Sequence, residues 1–509
     1  MKKAGTFWHF TDIHLDSTYY IDDLFGVWGN YRRDSSLLVA ATAIGNATDL
    51  DCILQQPDFV IWSGDNSPHN NTLTADDVLE SLMRLSNWFT LFAVSKNISV
   101  LPVIGEYDLF PAAEISPLKG NLRREEWCHR LATESDYWSR WIQEAEESVK
   151  HEHGLPKALF NETGCYHSML LPESIGPQIL LIGLNSIIWY VNNPKLQLTE
   201  QDPLDQFRWL IDSLTWAREN NAKAIIVTHL PPGTAELHPT SGQYMHPNYN
   251  DQLVSILREF SDVIITTLAG HEHVDGFRVL LDESYKPVGT VFNGPSVDPL
   301  VLPERGDFNP RIRLYHYDRE TGTLLNYQQL WLNLSTSGPI WQLEYTARDE
   351  YSHLTDLSPQ SMADLLDEFT KYNNPDNQWS NYWEHQLGYR PHVNKSTLFP
   401  GGTCPNVASV CRCEHVCAMR HLDAERWEKC ISDYCMDSTN PRLPTIRELS
   451  VRQLNMTQLI VLVTVGALCL ITFILITVVC IYRKKQHGAG GRSCSVKRNP
   501  HSLSFILTT

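Results

Sequence analysis

Five short segments of this chain bring carboxylates and imidazoles together at spacings that suit metal ions. They are Asp12-Ile13-His14, Gly64-Asp65, Gly105-Glu106-Tyr107-Asp108, Thr228-His229 and Gly270-His271-Glu272-His273. Side chains two residues apart in extended chain point the same way. Asp12 and His14 therefore offer one carboxylate and one imidazole to a single ion, and His271 and His273 offer two imidazoles. Asp65 can put its two oxygens on different ions, and the small Gly64 and Gly270 allow close backbone approach. Taken singly, these segments have plainer readings: Asp12 as the cap of a surface turn, His229 as a hydrogen-bonded loop residue. Their order and their shared place after strand-like runs favour the joint reading, in which two divalent cations, bridged by a carboxylate and a water, hold a phosphate between them.

The elements that must position these loops are legible as alternating patterns. Strand-like runs occur at Gly5–Phe10, Asp58–Trp62, Ile98–Ile104, Gln178–Asn185, Lys223–Thr228, Asp262–Leu268, Pro287–Phe292 and Arg311–Tyr317, with helical periodicity between them at Thr74–Val94, Asp202–Glu219 and Tyr249–Phe260. This order predicts an α/β (α+β) fold with two central sheets flanked by helices over residues 5–342. From 343 to 458 the pattern turns helical, at Ser361–Tyr372 and Trp379–Gly388, and then cysteine-rich. No GxxxxGK[ST] or GxSxG motif is present, so the usual nucleotide cradle and nucleophile elbow are excluded.

With 42% hydrophobic and 20% charged residues the chain has the composition of a folded protein, and its net charge of −18 speaks against a DNA or RNA binder working through a basic groove. Six of the 12 cysteines fall between Cys404 and Cys435, a density that suits an oxidising compartment. Cys411, Cys413, His415 and Cys417 could form a zinc site, but disulfides are the better reading there. The uncharged run Leu459–Ile481 predicts one transmembrane helix, long enough for a hydrocarbon core of ~30 Å. After it, residues 482–509 carry Arg483, Lys484, Lys485, Arg492, Lys497 and Arg498 and no acid, the mark of a basic cytoplasmic tail. N-x-[ST] sequons at Asn46, Asn70, Asn97, Asn161, Asn333, Asn394 and Asn455 then place residues 1–458 outside the cell or in an endolysosomal lumen, as the glycosylated part of a single-pass membrane protein. No apolar core follows Met1-Lys2-Lys3, so no signal peptide is visible and a truncated start is expected.

The succession DxH, GD, GN[H], H and GHxH resembles that of the calcineurin-like metallophosphoesterases. The segments FTDIHLDSTYY, PDFVIWSGDNSPH, LIGLNS and LAGHEHVDGF are similar to the acid sphingomyelinase-like phosphodiesterases, over roughly Gly5 to Cys435 and without a saposin-like domain in front. The resemblance implies a double-sheet sandwich and a phosphodiesterase acting on sphingomyelin-type lipid headgroups or nucleotides through a metal-activated water. It implies that Asp12, His14 and His273 hold one zinc, that Asp65 bridges, and that His229 and His271 hold the second. His69 matches a histidine that contacts the phosphate and can donate a proton. Where the family has Asn-His, this chain has Glu106-Tyr107. Glu106 can still ligate, but its charge lowers the net charge of the two-zinc centre, acidifies water less, and makes Mn²⁺ an alternative ion. Tyr107, a phenol with a pKa of ~10 in model compounds, donates a hydrogen bond but shuttles protons poorly. Losing one acid could lower the rate by roughly 10²–10⁴. The alternative expectation is a pseudoenzyme acting as a membrane-bound binding or modulatory protein.

Overall fold

The computed structural model describes residues 4–17, 27–45, 50, 55–70, 72–134, 137–236, 242–302, 306–371, 378–386, 388, 410–436 and 443–486. Asn46, Asn394, Cys52, Cys404 and the tail residues Arg492, Lys497 and Arg498 lie outside them. Two units form, 1–447 and 448–509.

In the first unit the chain builds β1 (Ala4–Phe10), β2 (Phe59–Trp62), β3 (Ser99–Pro102), β4 (His167–Leu170), β5 (Ile179–Gly183), β6 (Lys223–Val227), β7 (Ile264–Ala269), β8 (Gly276–Leu281) and β9 (Pro287–Asn293). A short pair follows, β10 (Leu300–Leu302) and β11 (Gly306–Phe308), then β12 (Arg311–Asp318), β13 (Leu324–Leu332) and β14 (Trp341–Thr346). One six-stranded sheet runs β14-β13-β12-β1-β2-β3 and the other β4-β5-β6-β7-β9-β8. β1, β2 and β3 are parallel, as are β5, β6, β7 and β9, so each sheet presents the carboxyl ends of several strands at one edge.

Alternation along each strand splits its residues between two cores. Phe7, Phe59 and Ile61 share one with Leu181, Ile225, Val227 and Leu268 of the other sheet. Their neighbours Trp8, Phe10, Val60 and Trp62 join the other, with Leu82, Leu85 and Phe89 of the helix Ala75–Lys96. That helix starts at a capping box formed by Thr74 and Asp77 and stops where Asn97 turns left-handed at φ 54°. Truncating its fully buried Leu82 to alanine would cost about 2–5 kcal/mol. The strands β4, β8, β10, β11, β13 and β14 are absent from the sequence reading, and β13 breaks its alternation at a bulge opposite β14.

The helices Pro359–Glu368, Trp379–Gln386, Val410–Arg420 and Ala424–Cys430 follow β14. Disulfides Cys413–Cys435 and Cys417–Cys430 cross-link the last of them, and Cys128–Cys165 ties the main body. Bonded sulfurs are not available as thiolates, so disulfides replace the zinc reading at Cys413 and Cys417.

The expected transmembrane helix is overturned. A helix does run over Ile446–Gln486, but among the described residues no helix is long and apolar enough to cross a membrane. A span requires ~20 continuous, predominantly apolar residues. The helix begins with the charged residues Arg447, Glu448 and Arg452 ahead of its apolar stretch. The single-pass reading falls with it.

Candidate metal centre

All five ligand-rich segments leave carboxyl ends of parallel strands: Asp12 and His14 follow β1, Asp65 follows β2, Glu106 follows β3, His229 follows β6, and His271 and His273 follow β7. Backbone hydrogen bonds sew these loops together. The Asp12 amide donates to the Gly64 carbonyl at 2.9 Å, that of His14 to the Asp65 carbonyl at 3.1 Å, and that of Gly270 to the His229 carbonyl at 2.9 Å. The approach is so close that a Cβ on Gly105 would overlap the Asp65 carboxylate, and one on Gly270 would overlap Thr11 and Asp12. Asp12, His14, Asp65, His271 and His273 all have left-handed backbones, with φ of 50°, 42°, 57°, 70° and 58°. Such conformations cost ~1–3 kcal/mol each outside glycine and persist only where the surroundings impose them.

The loops bring together two donor groups that share Asp65: Asp12, His14 and Asp65 on one side and Asp65, Glu106, His229 and His271 on the other; His69 forms further groups with His14 and His273 and with Asp34 and Asp298. His14 Nε2 lies 3.1 Å from His273 Nε2 and 3.7 Å from Asp65 Oδ2, and His273 Nε2 lies 3.4 Å from Asp12 Oδ1. His229 Nε2 is 2.8 Å from Glu106 Oε2 and 3.3 Å from Asp65 Oδ2, while His271 Nδ1 is 2.8 Å from Glu106 Oε1. Nδ1 of His14 and of His229 each donate to a carbonyl, Ser67 and Ser63, at 2.8 Å. In the neutral rings that leaves the Nε2 lone pair facing inward. His14 Nε2 faces His273 Nε2 at 3.1 Å, close to the roughly 3.3 Å that separates two nitrogens each ~2.0–2.1 Å from one tetrahedral ion. The donor set therefore fits divalent cations.

Electrostatics agree with that chemistry. Burial pushes the Asp12 carboxyl up to about 7, with the Asp65 charge adding to it and His229 opposing. Burial also lowers His14, helped by the charges of His69 and His273. At His229 burial is outweighed by Asp65 and Glu106, which hold the ring well above its usual range. Burial raises Glu106, yet the His271 and His229 charges overcome it and hold the carboxyl well below the usual value. A buried carboxylate and imidazole array of this kind is relieved by cation charge.

His69 and Tyr107 stand at the rim. The His69 ring stacks on His14 at 3.7 Å, is 34% exposed, and meets the Tyr107 ring edge-on at 4.7 Å. Burial pulls the His69 pKa down, but a 2.6 Å hydrogen bond from Nδ1 to Asp34 and that carboxylate's charge raise it overall. Burial, with Glu106 and Asp65, pushes the Tyr107 phenol up to about 12. Beyond Tyr107 lies a hollow of about 250 Å³ lined by Ser67, Leu73 and Leu109. Phe110, 37% exposed, divides it from one of about 290 Å³ edged by Arg123 and Lys195.

Sequence reasoning gave no role to three carboxylates here. Asp108 accepts from the amides of Asp65, Asn66 and Gly105 at 3.0, 2.9 and 2.8 Å, pinning the Gly64-Asp65 turn. Asp34 holds His69, and Asp298 Oδ2 stands 3.9 Å from Nδ1 of His273. Asp108 was visible as the fourth residue of its motif, whereas nothing local marks Asp34 or Asp298.

Residues 5–275 match the family model of calcineurin-like phosphoesterases, which is more than half of the chain, and residues 286–437 match the acid sphingomyelin phosphodiesterase C-terminal region. The chain belongs to the calcineurin-like phosphoesterase family. Among this phosphoesterase's relatives, acid sphingomyelinase-like phosphodiesterase 3b of Homo sapiens is 29% identical, the match covering 87% of this chain and 93% of that protein. A cyclic GMP-AMP phosphodiesterase of Homo sapiens is 28% identical over 84% of this chain and 90% of its own length. Sphingomyelinase phosphodiesterase C of Dictyostelium discoideum is 28% identical over 84% and 93%. The family implies divalent metal ions, in keeping with the two donor groups.

Proposed function

We propose that this phosphoesterase is a metal-dependent phosphoric diester hydrolase, cleaving phosphodiester or pyrophosphate bonds of sphingomyelin-type lipid headgroups or of nucleotides. One observation carries the reading: Asp65 belongs to both donor groups, as a carboxylate bridging two ions would. Asp12, His14 and His273 would hold one ion, and Glu106, His229 and His271 the other. A nitrogen-rich set favours Zn²⁺, and the third carboxylate, Glu106, makes Mn²⁺ the alternative. Ions bound there supply Lewis-acid charge to the phosphate oxygens and acidify water for attack. His69, with Nδ1 tied to Asp34, keeps Nε2 to steady the phosphate and to protonate the departing oxygen. Tyr107 donates a hydrogen bond and keeps its proton. The non-reacting part of the substrate would lie along the wall at Phe110. We assign the catalytic domain to 5–342 and a cysteine-rich helical domain to 343–458.

A second reading, a chain that binds ions but turns over little, is favoured by Tyr107 alone, because a phenol near 12 is a weak acid at neutral pH. The test uses the full chain. Bound metal is counted, and hydrolysis of a chromogenic phosphodiester, sphingomyelin micelles and a cyclic dinucleotide is followed, with Asp65→Ala as control. Diester turnover that the control loses by at least about 10²-fold supports the first reading. Stoichiometric metal with no turnover supports the second, and a chain with neither sinks both.

A further inference from the structure

Between the two histidines of the last ligand loop stands a residue that touches neither donor group. Glu272 is buried at 4% exposure, and its carboxylate is fully engaged. Oε1 accepts from the Glu236 amide at 2.7 Å and from Arg278 Nη2 at 2.8 Å, and Oε2 accepts from Asn293 Nδ2 at 2.6 Å. Tyr244, hydrogen-bonded to the same carboxylate, lays its ring edge-on against His271 at 4.4 Å. Two residues past His273, the buried Asp275 is held in the same manner by Arg313, Tyr345 and Gln329.

The anchoring extends into the C-terminal helices. The Glu236 carboxylate accepts from Gln386 Nε2 at 2.7 Å and from the Tyr382 hydroxyl, both on the helix Trp379–Gln386. A continuous path thus runs from that helix through Glu236 to Glu272 and the two histidines. The histidines need such support. Both have left-handed backbones, which a free loop would leave, and imidazoles bind an ion well only when held in position.

We propose that Glu272 is a positioning residue for His271 and His273, and that the helix Trp379–Gln386 helps to hold them through Glu236. The inference rests on the metal reading above and adds to it a role for the C-terminal region in ion affinity.

The test is ion affinity of the full chain, measured by competition between Zn²⁺ or Mn²⁺ and a chromogenic chelator, with the melting temperature recorded beside it. Glu272→Gln should weaken binding by roughly 10–100-fold, the usual effect of losing a residue that orients a ligand. Tyr382→Phe, a milder change at the far end of the path, should weaken it in the same direction by a smaller factor. Leu366→Ala, a truncation of the fully buried core beside this helix, should lower the melting temperature and leave affinity unchanged. Wild-type affinity in Glu272→Gln overturns the proposal, and so does an equal loss in Leu366→Ala, which would mean that any destabilisation has the same effect. If Glu272→Gln does not fold, Tyr382→Phe decides, and wild-type affinity there overturns the proposal. A wild-type chain that binds no ion refutes the metal reading itself, a result distinct from these.

Discussion

Replacing Tyr107 by histidine tests the proton balance of the site most directly. The Tyr107 phenol is pushed up to about 12, whereas an imidazole titrates near ~6.5 in model compounds. The ring position suits a proton donor, edge-on to His69 at 4.7 Å and to His14 at 5.3 Å at the mouth of the site. Glu106, Asp65 and Asp34, the carboxylates that oppose phenol ionisation, would favour an imidazolium in its place. The difference in acidity is about 5 pK units, and if roughly half of it is expressed in the rate, turnover of a diester with a poor leaving group rises ~10²–10³-fold. The sign in pH follows. The new acid works while protonated, so the gain is greatest below the imidazole pKa and fades above it. Tyr107→Phe should change the rate less than about 10-fold, since only a hydrogen bond is lost. The assay is kcat against pH for such a diester, with metal content and melting temperature held to wild-type values. A gain below threefold in a folded, metal-loaded Tyr107→His protein would refute the reasoning and assign the proton to His69 alone.

Three further outcomes are expected. Burial lowers the His385 pKa, but hydrogen bonds to Glu344 and Glu350 outweigh it and raise the ring to about 9. Its contribution, about 3 kcal/mol from the shift, is therefore fully present below pH ~6.5 and lost as the pH rises through about 9. Denaturant unfolding at pH 6 and pH 10 should show that loss in wild type and its absence in His385→Gln; equal pH dependence in the two would contradict it. Removing Cys417–Cys430 by paired serines opens a loop with a sequence separation of 13, so stability should fall by roughly 3 kcal/mol in the same measurement. Phe110→Ala should raise KM for substrates with a bulky non-reacting group while sparing a small chromogenic diester, and equal effects on both would count against substrate contact at that wall.

The fold was legible where the sequence carries its own period. β1, β2, β6 and β7 show as apolar runs ending in a chemically loaded loop, and the helix Ala75–Lys96 announces itself through Thr74 and its apolar stripe. β13 hid because a bulge shifts its register. The run from Leu459 to Ile481 misled, because its composition alone suggested a membrane span. Within the site, residues that lie next to a strand end were visible, and those that arrive from a distance were not. Asp34 meets His69 across 35 positions, and Asp298 reaches His273 from 25 positions downstream, so only folding assembles those pairs.

The glycines beneath the ligands bear on how such a site can drift. Gly105 backs onto Asp65, Gly270 onto Asp12, and Gly64 onto Gly105 itself, so a methyl group at any of the three would collide with its neighbour. The floor accepts no side chain, while the buried Glu106 beside it reaches two histidines with its two oxygens. Mutational exploration is thereby steered toward exchange of donor atoms and away from change in the scaffold that carries them. A lineage that had stopped using the ions would be free to fill the floor. In this chain all three positions are glycine, so the floor lies close beneath the donor groups.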